Sequence, residues 1–522
     1  MTRLARVLLL MGCLVLLLFL VGSSPSEGPI VWVVGSLERV GLEANPKSAV
    51  SIDLYAARGE YESFQIIVRA PASGLKNVNV RAPDLGGPRS TLYREKYVRL
   101  TRGTKDWTGN RNKPLGPGWY PDALIPFENP ATGERLSGAP LTAAPFDLDG
   151  GRNQPIWVDV FVPRTTPAGL YRGDFLVTSD QGRAKATLNL KVWDFNLPLR
   201  PSLRSCILYW KVRRQLPANQ ELLRHRLMPI SVDPGQERLL IDTLGLSCTH
   251  LGFWSKGDQQ RGAMDPAPSV AELRRAVAQH QRDLYLYNYT ADEVEGHHGL
   301  YESLRQWAQN LHQAGVDNLV TMAPVPELYD DGSGTGRSAV DVWTVLPKMY
   351  DRSRARIAEV LQKGDKVWSY NALVQDDYSP KWLIDFAPIN FRIQPGFLSQ
   401  SLRLSGLLYW RADLWSSDPW SNVEAYRPSY PGEGMLVYPG EEVGVPGVVG
   451  SMRLKWIRDG VEDFDYLQIL NSRGLGEQAM SIARSVGRDW QTWTRDPDRL
   501  ETARHRLGEM IEATPTRAAK DP

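Results

Sequence analysis

Two adjacent carboxylates, Asp292 and Glu293, follow the run Tyr285-Leu286-Tyr287-Asn288-Tyr289-Thr290-Ala291. Carboxylates side by side suit acid/base work, because one can hold a charge while the other gives up and takes back a proton. On a regular strand two neighbours point to opposite faces, so both enter one pocket only where the strand ends or bends. Taken alone, such a dipeptide is usually a solvated loop pair. Its weight depends on what lies just past the other apolar runs. Those positions hold Trp210, Lys211, Trp254, Glu327, Trp368, Tyr370, Asp376, Asp377, Trp410, Asp413 and Trp415. Aromatics and carboxylates dominate, the side chains that stack on sugar rings and protonate glycosidic oxygens. Metal-ligand spacing is missing: His297-His298 is adjacent rather than one helical turn apart and reads as a solvated loop, so neither metal nor cofactor is expected.

The elements carrying these positions alternate in type. Ser269-Val270-Ala271-Glu272 has capping-box spacing and opens a helix that leads into the strand holding Tyr285. Leu300, Leu304, Trp307 and Leu311 share a helical face, Gly315 closes that helix, and residues 316–322 read as a buried strand. The unit repeats with Ile357, Val360 and Leu361, the stop at Gly364, and the strand Val367-Trp368-Ser369-Tyr370. Further strands fit at 206–210, 248–254 and 406–410. About 300 residues of alternating β and α elements match a (β/α)8 TIM-type barrel, whose catalytic groups sit at the C-terminal ends of the strands. Asp292-Glu293 falls at the end of the expected fourth strand. The competing open doubly wound sheet lacks a Gly-rich phosphate loop after any strand.

The first half has a different rhythm. Ile156-Trp157-Val158-Asp159-Val160-Phe161-Val162 and Ala186-Thr187-Leu188-Asn189-Leu190-Lys191-Val192-Trp193 alternate as half-buried strands do, and predict an antiparallel β-sandwich over 29–196. Residues 102–140, rich in Gly, Pro, Asn and Trp, read as an excursion between strands. Leu197-Pro198-Leu199-Arg200-Pro201 marks the boundary, and the barrel with its C-terminal helices is expected over 202–515.

Lys and Arg number 61 against 59 Asp and Glu, a balance that sets up no field for nucleic acid or anionic lipid. Seventeen Trp and 20 Tyr suit a neutral glycan partner. Arg3 and Arg6, the apolar run 7–21 and Gly22-Ser23-Ser24-Pro25 form a secretory leader over 1–24. The run is shorter than the ~20 apolar residues of a membrane span, so an exported protein is expected, periplasmic, surface-held or secreted. Leu10-Met11-Gly12-Cys13 resembles a lipoprotein box, but apolar residues continue past it. Membrane contact is expected only through this leader, if uncleaved or lipidated. Without Cys13 only Cys206 and Cys248 remain, which supply no disulfide framework and read as buried thiols.

Several stretches resemble bacterial glycoside hydrolases of family 123. They are Ala57-Arg58-Gly59-Glu60-Tyr61-Glu62-Ser63-Phe64-Gln65, Thr166-Pro167-Ala168-Gly169-Leu170-Tyr171-Arg172-Gly173, the Asp292-Glu293 pair, Gly406-Leu407-Leu408-Tyr409-Trp410, Leu436-Val437-Tyr438-Pro439-Gly440, and Arg458-Asp459-Gly460-Val461-Glu462-Asp463-Phe464-Asp465-Tyr466-Leu467. The last reads as structural: Ile457, Val461 and Phe464 form a helical stripe, and its charges are expected to tie the helix to the barrel. The resemblance implies an N-acetyl-β-galactosaminidase, a β-sandwich before a (β/α)8 barrel, and a substrate-assisted retaining mechanism. Asp292 would orient the 2-acetamido group and Glu293 would serve as acid and base. Trp254, Tyr289, Trp368, Tyr370, Trp410 and Trp415 are candidates for the sugar pocket, and Arg392 corresponds to an arginine after the relatives' seventh strand. Relatives commonly follow the pair with proline, whereas this chain has Val294-Glu295-Gly296. Two other readings compete: a conventional glycosidase using Glu293 with Glu327 or Asp413, and a non-catalytic glycan-binding surface protein.

Overall fold

The computed structural model describes residues 27–105, 111–257 and 262–514. The leader expected at 1–24 lies outside the described residues. No described helix is long and apolar enough to cross a membrane.

Among the described residues ten strands fill the first part of the chain: β1 (Ile30–Gly35), β2 (Ser51–Arg58), β3 (Glu60–Arg69), β4 (Leu75–Arg81), β5 (Arg89–Leu100), β6 (Gly118–Pro126), β7 (Phe146–Leu148), β8 (Asn153–Val162), β9 (Gly169–Ser179) and β10 (Gly182–Asn196). They form two five-stranded sheets, ordered β1-β3-β8-β5-β6 and β2-β10-β9-β4-β7. Pairing is antiparallel except between β10 and β2, which run parallel, so the all-antiparallel expectation fails at that edge. Phe64, Ile66, Ile156 and Val158 of the first sheet share one apolar cluster with Phe175, Val177, Leu188 and Leu190 of the second.

β10 keeps the expected alternation through Ala186, Leu188, Leu190 and Val192. β8 does not, for Trp157 and Asp159 on its other face are also buried. The cause is long-range: a helix from the far end of the chain covers that face.

Seven parallel strands follow: β11 (Arg204–Ile207), β12 (Cys248–His250), β13 (Tyr285–Asp292), β14 (Asp317–Thr321), β15 (Val342–Val345), β16 (Lys366–Tyr370) and β17 (Gly406–Tyr409). Their order is β11-β17-β16-β15-β14-β13-β12. The two edges meet through residues 228–230. Ile207 N–H donates to the Met228 carbonyl at 2.9 Å, Ile230 N–H to Ile207 at 3.0 Å, and His250 N–H to Ile230 at 3.1 Å. The sheet is thus a nearly closed barrel of seven regular strands, and the eighth expected of a (β/α)8 barrel is reduced to this short bridge. β15, only four residues long, was not distinguished by periodicity.

Helices α1 (Gln215–Arg224), α2 (Pro234–Leu244), α3 (Val270–Val277), α4 (Tyr301–Gln313), α5 (Pro347–Arg352) and α6 (Arg354–Lys363) lie between these strands. The local signals hold. Ser269 and Glu272 make both halves of the capping box on α3. Leu304, Trp307 and Leu311 are the buried face of α4, and Gly364 caps α6 with φ 94°. Connections depart from the ideal repeat, however: a single 3-10 turn at Pro326–Leu328 stands between β14 and β15, and a helical run at 389–401 with a π turn precedes β17. Cys206 and Cys248 are free and buried.

Three helices close the chain, α7 (Met452–Ser472), α8 (Gly476–Val486) and α9 (Pro497–Ala513). α7 is buried on nearly every side, including Arg453, Lys455, Arg458, Glu462, Asp463 and Asp465. Its charges were expected to tie it to the barrel, and Asp463 and Asp465 do so through Arg392 and Arg226, while Arg453, Lys455 and Arg458 reach the first sheet. Arg453 pairs with Asp122 at 2.7 Å, while Lys455 and Arg458 pair with Asp159 at 2.6 and 3.2 Å. Tyr466 donates to Glu60 at 2.6 Å. The motif that looked structural is therefore the seam between the two parts of the molecule.

Candidate active site

β13 ends in a distortion that solves the problem posed by adjacent carboxylates. Its pairing with β14 runs Tyr289↔Leu319 and then Ala291↔Val320, so Thr290 is an extra residue that bends the strand. Asp292 regains register opposite Thr321. Glu293 then takes φ 48°, a left-handed conformation that is rare for a residue with a Cβ and is held only by its surroundings. Bulge and reversal together turn both side chains to the mouth of the barrel, where both are exposed.

Hydroxyls hold the pair in place. Tyr289 Oη donates to Asp292 Oδ1 at 2.9 Å, and Thr321 Oγ1 donates to the same oxygen. The Glu293 backbone N–H donates to Thr321 Oγ1 at 2.9 Å. Across the mouth, Tyr370 Oη donates to Glu293 Oε1 at 2.9 Å. Burial first, and then the facing carboxylates, push both phenols above the ordinary tyrosine value, so each remains a neutral donor.

The tryptophan candidates take four different places. Trp254 is 46% exposed and meets the Tyr289 ring edge-on at 5.4 Å, beside the carboxylates. Trp410, half-buried after β17, donates its indole N–H to Glu433 Oε1 at 2.5 Å. Trp415 instead turns its indole N–H to the Val437 carbonyl at 2.8 Å and packs as part of the scaffold. Trp368 is fully buried against Tyr287 and fills the barrel interior below Tyr370. Arg392 departs furthest from its expected place. It is fully buried, forked onto Asp463 at 2.8 and 3.0 Å, with a third bond to Glu501 at 2.7 Å. Its guanidinium is taken up by carboxylates of α7 and α9.

Neither rival carboxylate is placed like the pair. Asp413 is buried, and its Oδ2 accepts the backbone N–H groups of Trp210, Lys211 and Val212 while Oδ1 takes Arg411 Nε at 3.1 Å. It fastens the end of β11 to that of β17. Glu327 lies exposed on the turn after β14.

Two contributors were absent from the sequence reading. Thr321 sat unremarked within the strand 316–322, although a hydroxyl at the last position of a strand beside the carboxylate strand is a readable signal. Glu433 had none, since it lies on an irregular loop. Its buried carboxylate joins Trp410 to the Leu373 N–H at 3.0 Å, bridging the loops after β16 and β17. Burial raises its carboxyl to about 7, against the opposing pull of those donors and Arg453. Elsewhere, a cleft of about 520 Å³ between the first two sheets and α9 is lined by Tyr55, Glu62, Glu501, Arg504 and His505. It lies at no strand end of the barrel.

Comparison with known proteins bears on the fold and the family. A search of curated proteins finds no match. Among solved structures, a family 123 glycoside hydrolase from Clostridium perfringens, described for glycolipid glycan hydrolysis, superposes with TM-score 0.62 at 12% identity, over 93% of this chain and 98% of its own. A family 39 glycoside hydrolase from Bacteroides cellulosilyticus WH2 reaches only 0.33 at 10% identity, covering 78% of this chain and 81% of its own. That likeness carries no argument. The first shows that the whole architecture, sheets and barrel together, is shared. Residues 309–470 match the family model for the glycoside hydrolase 123 catalytic domain, a segment that runs from before β14 into α7 and begins after the carboxylate pair. By that match residues 309–470 are similar to the catalytic domain of glycoside hydrolase family 123, and the fold is shared with a member of that family.

Proposed function

We propose that the protein is an exported glycoside hydrolase that removes terminal N-acetyl-β-hexosaminides, N-acetyl-β-galactosaminides foremost, by a substrate-assisted retaining mechanism. One observation carries this reading: the two candidate carboxylates leave a single bent strand end, joined by one threonine. Conventional retaining enzymes set nucleophile and acid on opposite sides of the scissile bond, ~5 Å apart, and substrate-assisted enzymes are the exception. Neighbours on one strand end are placed together, which supports a nucleophile supplied by the sugar.

In this reading the 2-acetamido oxygen attacks the anomeric carbon. Asp292 accepts the amide N–H, turns the acetamido group into line, and balances the positive charge of the forming oxazolinium ring. Glu293 protonates the departing oxygen, and then removes a proton from the water that opens the ring. Tyr370 fixes the Glu293 side chain across the mouth, and Trp254 offers an exposed face for a sugar ring. Glycolipid glycan hydrolysis by the Clostridium perfringens protein supports a glycoconjugate as the natural substrate class.

The test is turnover of aryl N-acetyl-β-galactosaminide, N-acetyl-β-glucosaminide and plain β-galactoside by the mature protein. The galactosaminide is expected to be cleaved fastest and the plain galactoside not at all. Asp292→Asn and Glu293→Gln should each lower kcat by roughly 100-fold or more, and Glu327→Gln by less than about 3-fold. Cleavage of the plain galactoside at a comparable rate, or an equal loss in Glu327→Gln, supports the conventional mechanism instead. Saturable glycan binding without turnover supports a non-catalytic surface protein.

A further inference from the structure

Thr321 ends β14 directly opposite Asp292 in the β13–β14 register, and its side chain is buried. Its single hydroxyl works in two directions. The proton goes to Asp292 Oδ1, because a carboxylate oxygen accepts, and the lone pair receives the Glu293 N–H at 2.9 Å, because an amide nitrogen donates. The roles are set by the partners and cannot be exchanged. Tyr289 Oη donates to the same Asp292 oxygen at 2.9 Å, so two donors converge on Oδ1 and fix how the carboxylate is rotated. On its other side the hydroxyl anchors the backbone of a residue held at φ 48°. Such backbone persists only where several contacts over-determine it.

We propose that Thr321 is the positioning residue of this site: one γ-hydroxyl sets the rotation of the Asp292 carboxylate and the backbone of Glu293 together, so the two groups keep one relative geometry. The inference rests on the reaction proposed above and adds to it. Attack by an acetamido oxygen and protonation of the leaving oxygen occur in a single step, and small misplacements of reacting groups cost rate steeply. A hydroxyl shared between orienter and acid/base couples the two alignments. Thr321 touches neither sugar nor leaving group in this account, so its loss is expected in kcat rather than in KM.

The experiment compares Thr321→Val, which keeps the shape without the hydroxyl, with Thr321→Ser, which keeps the hydroxyl. Asp292→Asn and Glu293→Gln are measured alongside in the mature full chain, on 2,4-dinitrophenyl and phenyl N-acetyl-β-galactosaminides. Thr321→Val is expected to lose roughly 10- to 100-fold in kcat with KM within about 3-fold. The loss should be larger on the phenyl substrate, whose poorer leaving group depends more on the proton from Glu293. Thr321→Ser should recover most of the rate. If Thr321→Val turns over like the wild type while Asp292→Asn and Glu293→Gln are crippled, the positioning role is wrong and the reaction stands. A loss equal on both substrates and not restored by serine shows a merely structural threonine and also overturns it. If Asp292→Asn and Glu293→Gln keep activity, the proposed reaction itself fails. Should the valine variant not fold, Thr321→Ala carries the same comparison.

Discussion

A buried carboxyl with two donors and a value near neutrality is the most condition-sensitive residue at the barrel mouth. Glu433 joins Trp410 and Leu373, and burial raises its carboxyl to about 7 from an ordinary value of 4.5. The folded state therefore binds this proton more tightly than the unfolded chain. The stabilisation is fully present below the unfolded value and is lost as pH rises through about 7. A rise of that size corresponds to at most ~3 kcal/mol. Thermal melts of wild type and Glu433→Gln at pH 5 and pH 8 check this: the stability advantage of the wild type should shrink between the two. An advantage that stays constant removes Glu433 as the titrating group.

Among the elements, α7 is the one whose seat tolerates least. Gly460 faces the helical run at 389–401 so closely that a Cβ would stand 2.2 Å from the Arg392 carbonyl oxygen. Because the obstacle is backbone, rotamer changes cannot relieve it, and either α7 or the 389–401 run has to shift. Gly460→Ala is expected to destabilise by roughly 1–3 kcal/mol or more, read as a lower midpoint in thermal or denaturant unfolding. A midpoint equal to the wild type would show that the two elements are not locked together. Gly406 on β17 is constrained in a different way, since a Cβ there would meet the Trp368 ring at 2.4 Å. That contact explains how a large indole fits inside the barrel.

Across the whole molecule, the first sheet and the barrel side meet through buried charge. Burial alone would push the Asp159 carboxyl upward, but Arg458 and Lys455 outweigh it and hold the group well below the usual carboxylate range. A depressed carboxyl contributes stability above its unfolded value, and the contribution is lost as pH falls through the folded one. Asp159→Asn leaves two buried cations short of a counter-charge, which typically costs about 3–5 kcal/mol. Asp159 lies on β8 and its partners on α7, so both parts should respond in one cooperative transition at lower temperature. Calorimetry resolving two transitions, with only one displaced, would argue that the sheets and the barrel unfold independently. α9 reinforces the seam, since Trp193 of β10 occupies the space where Gly508 lacks a side chain.

What the sequence determined by itself was local: the capping box at Ser269, the stripe of α4, the stop at Gly364, the alternation of β10, and a carboxylate pair at a strand end. Each depends on interactions within a few residues, and short-range spacing encodes them. What only the tertiary structure decided depends on partners remote in sequence. The bulge at Thr290 and the turn at Glu293 needed β14 beside them, and Thr321 acquires its position only when the strands pair. Arg392 reads as a pocket residue until Asp463 is brought against it, and the charges of α7 show their partners on the first sheet only once Asp159 and Asp122 are in place. A charged side chain carries no local mark of being buried, because its counter-charge is supplied by the fold.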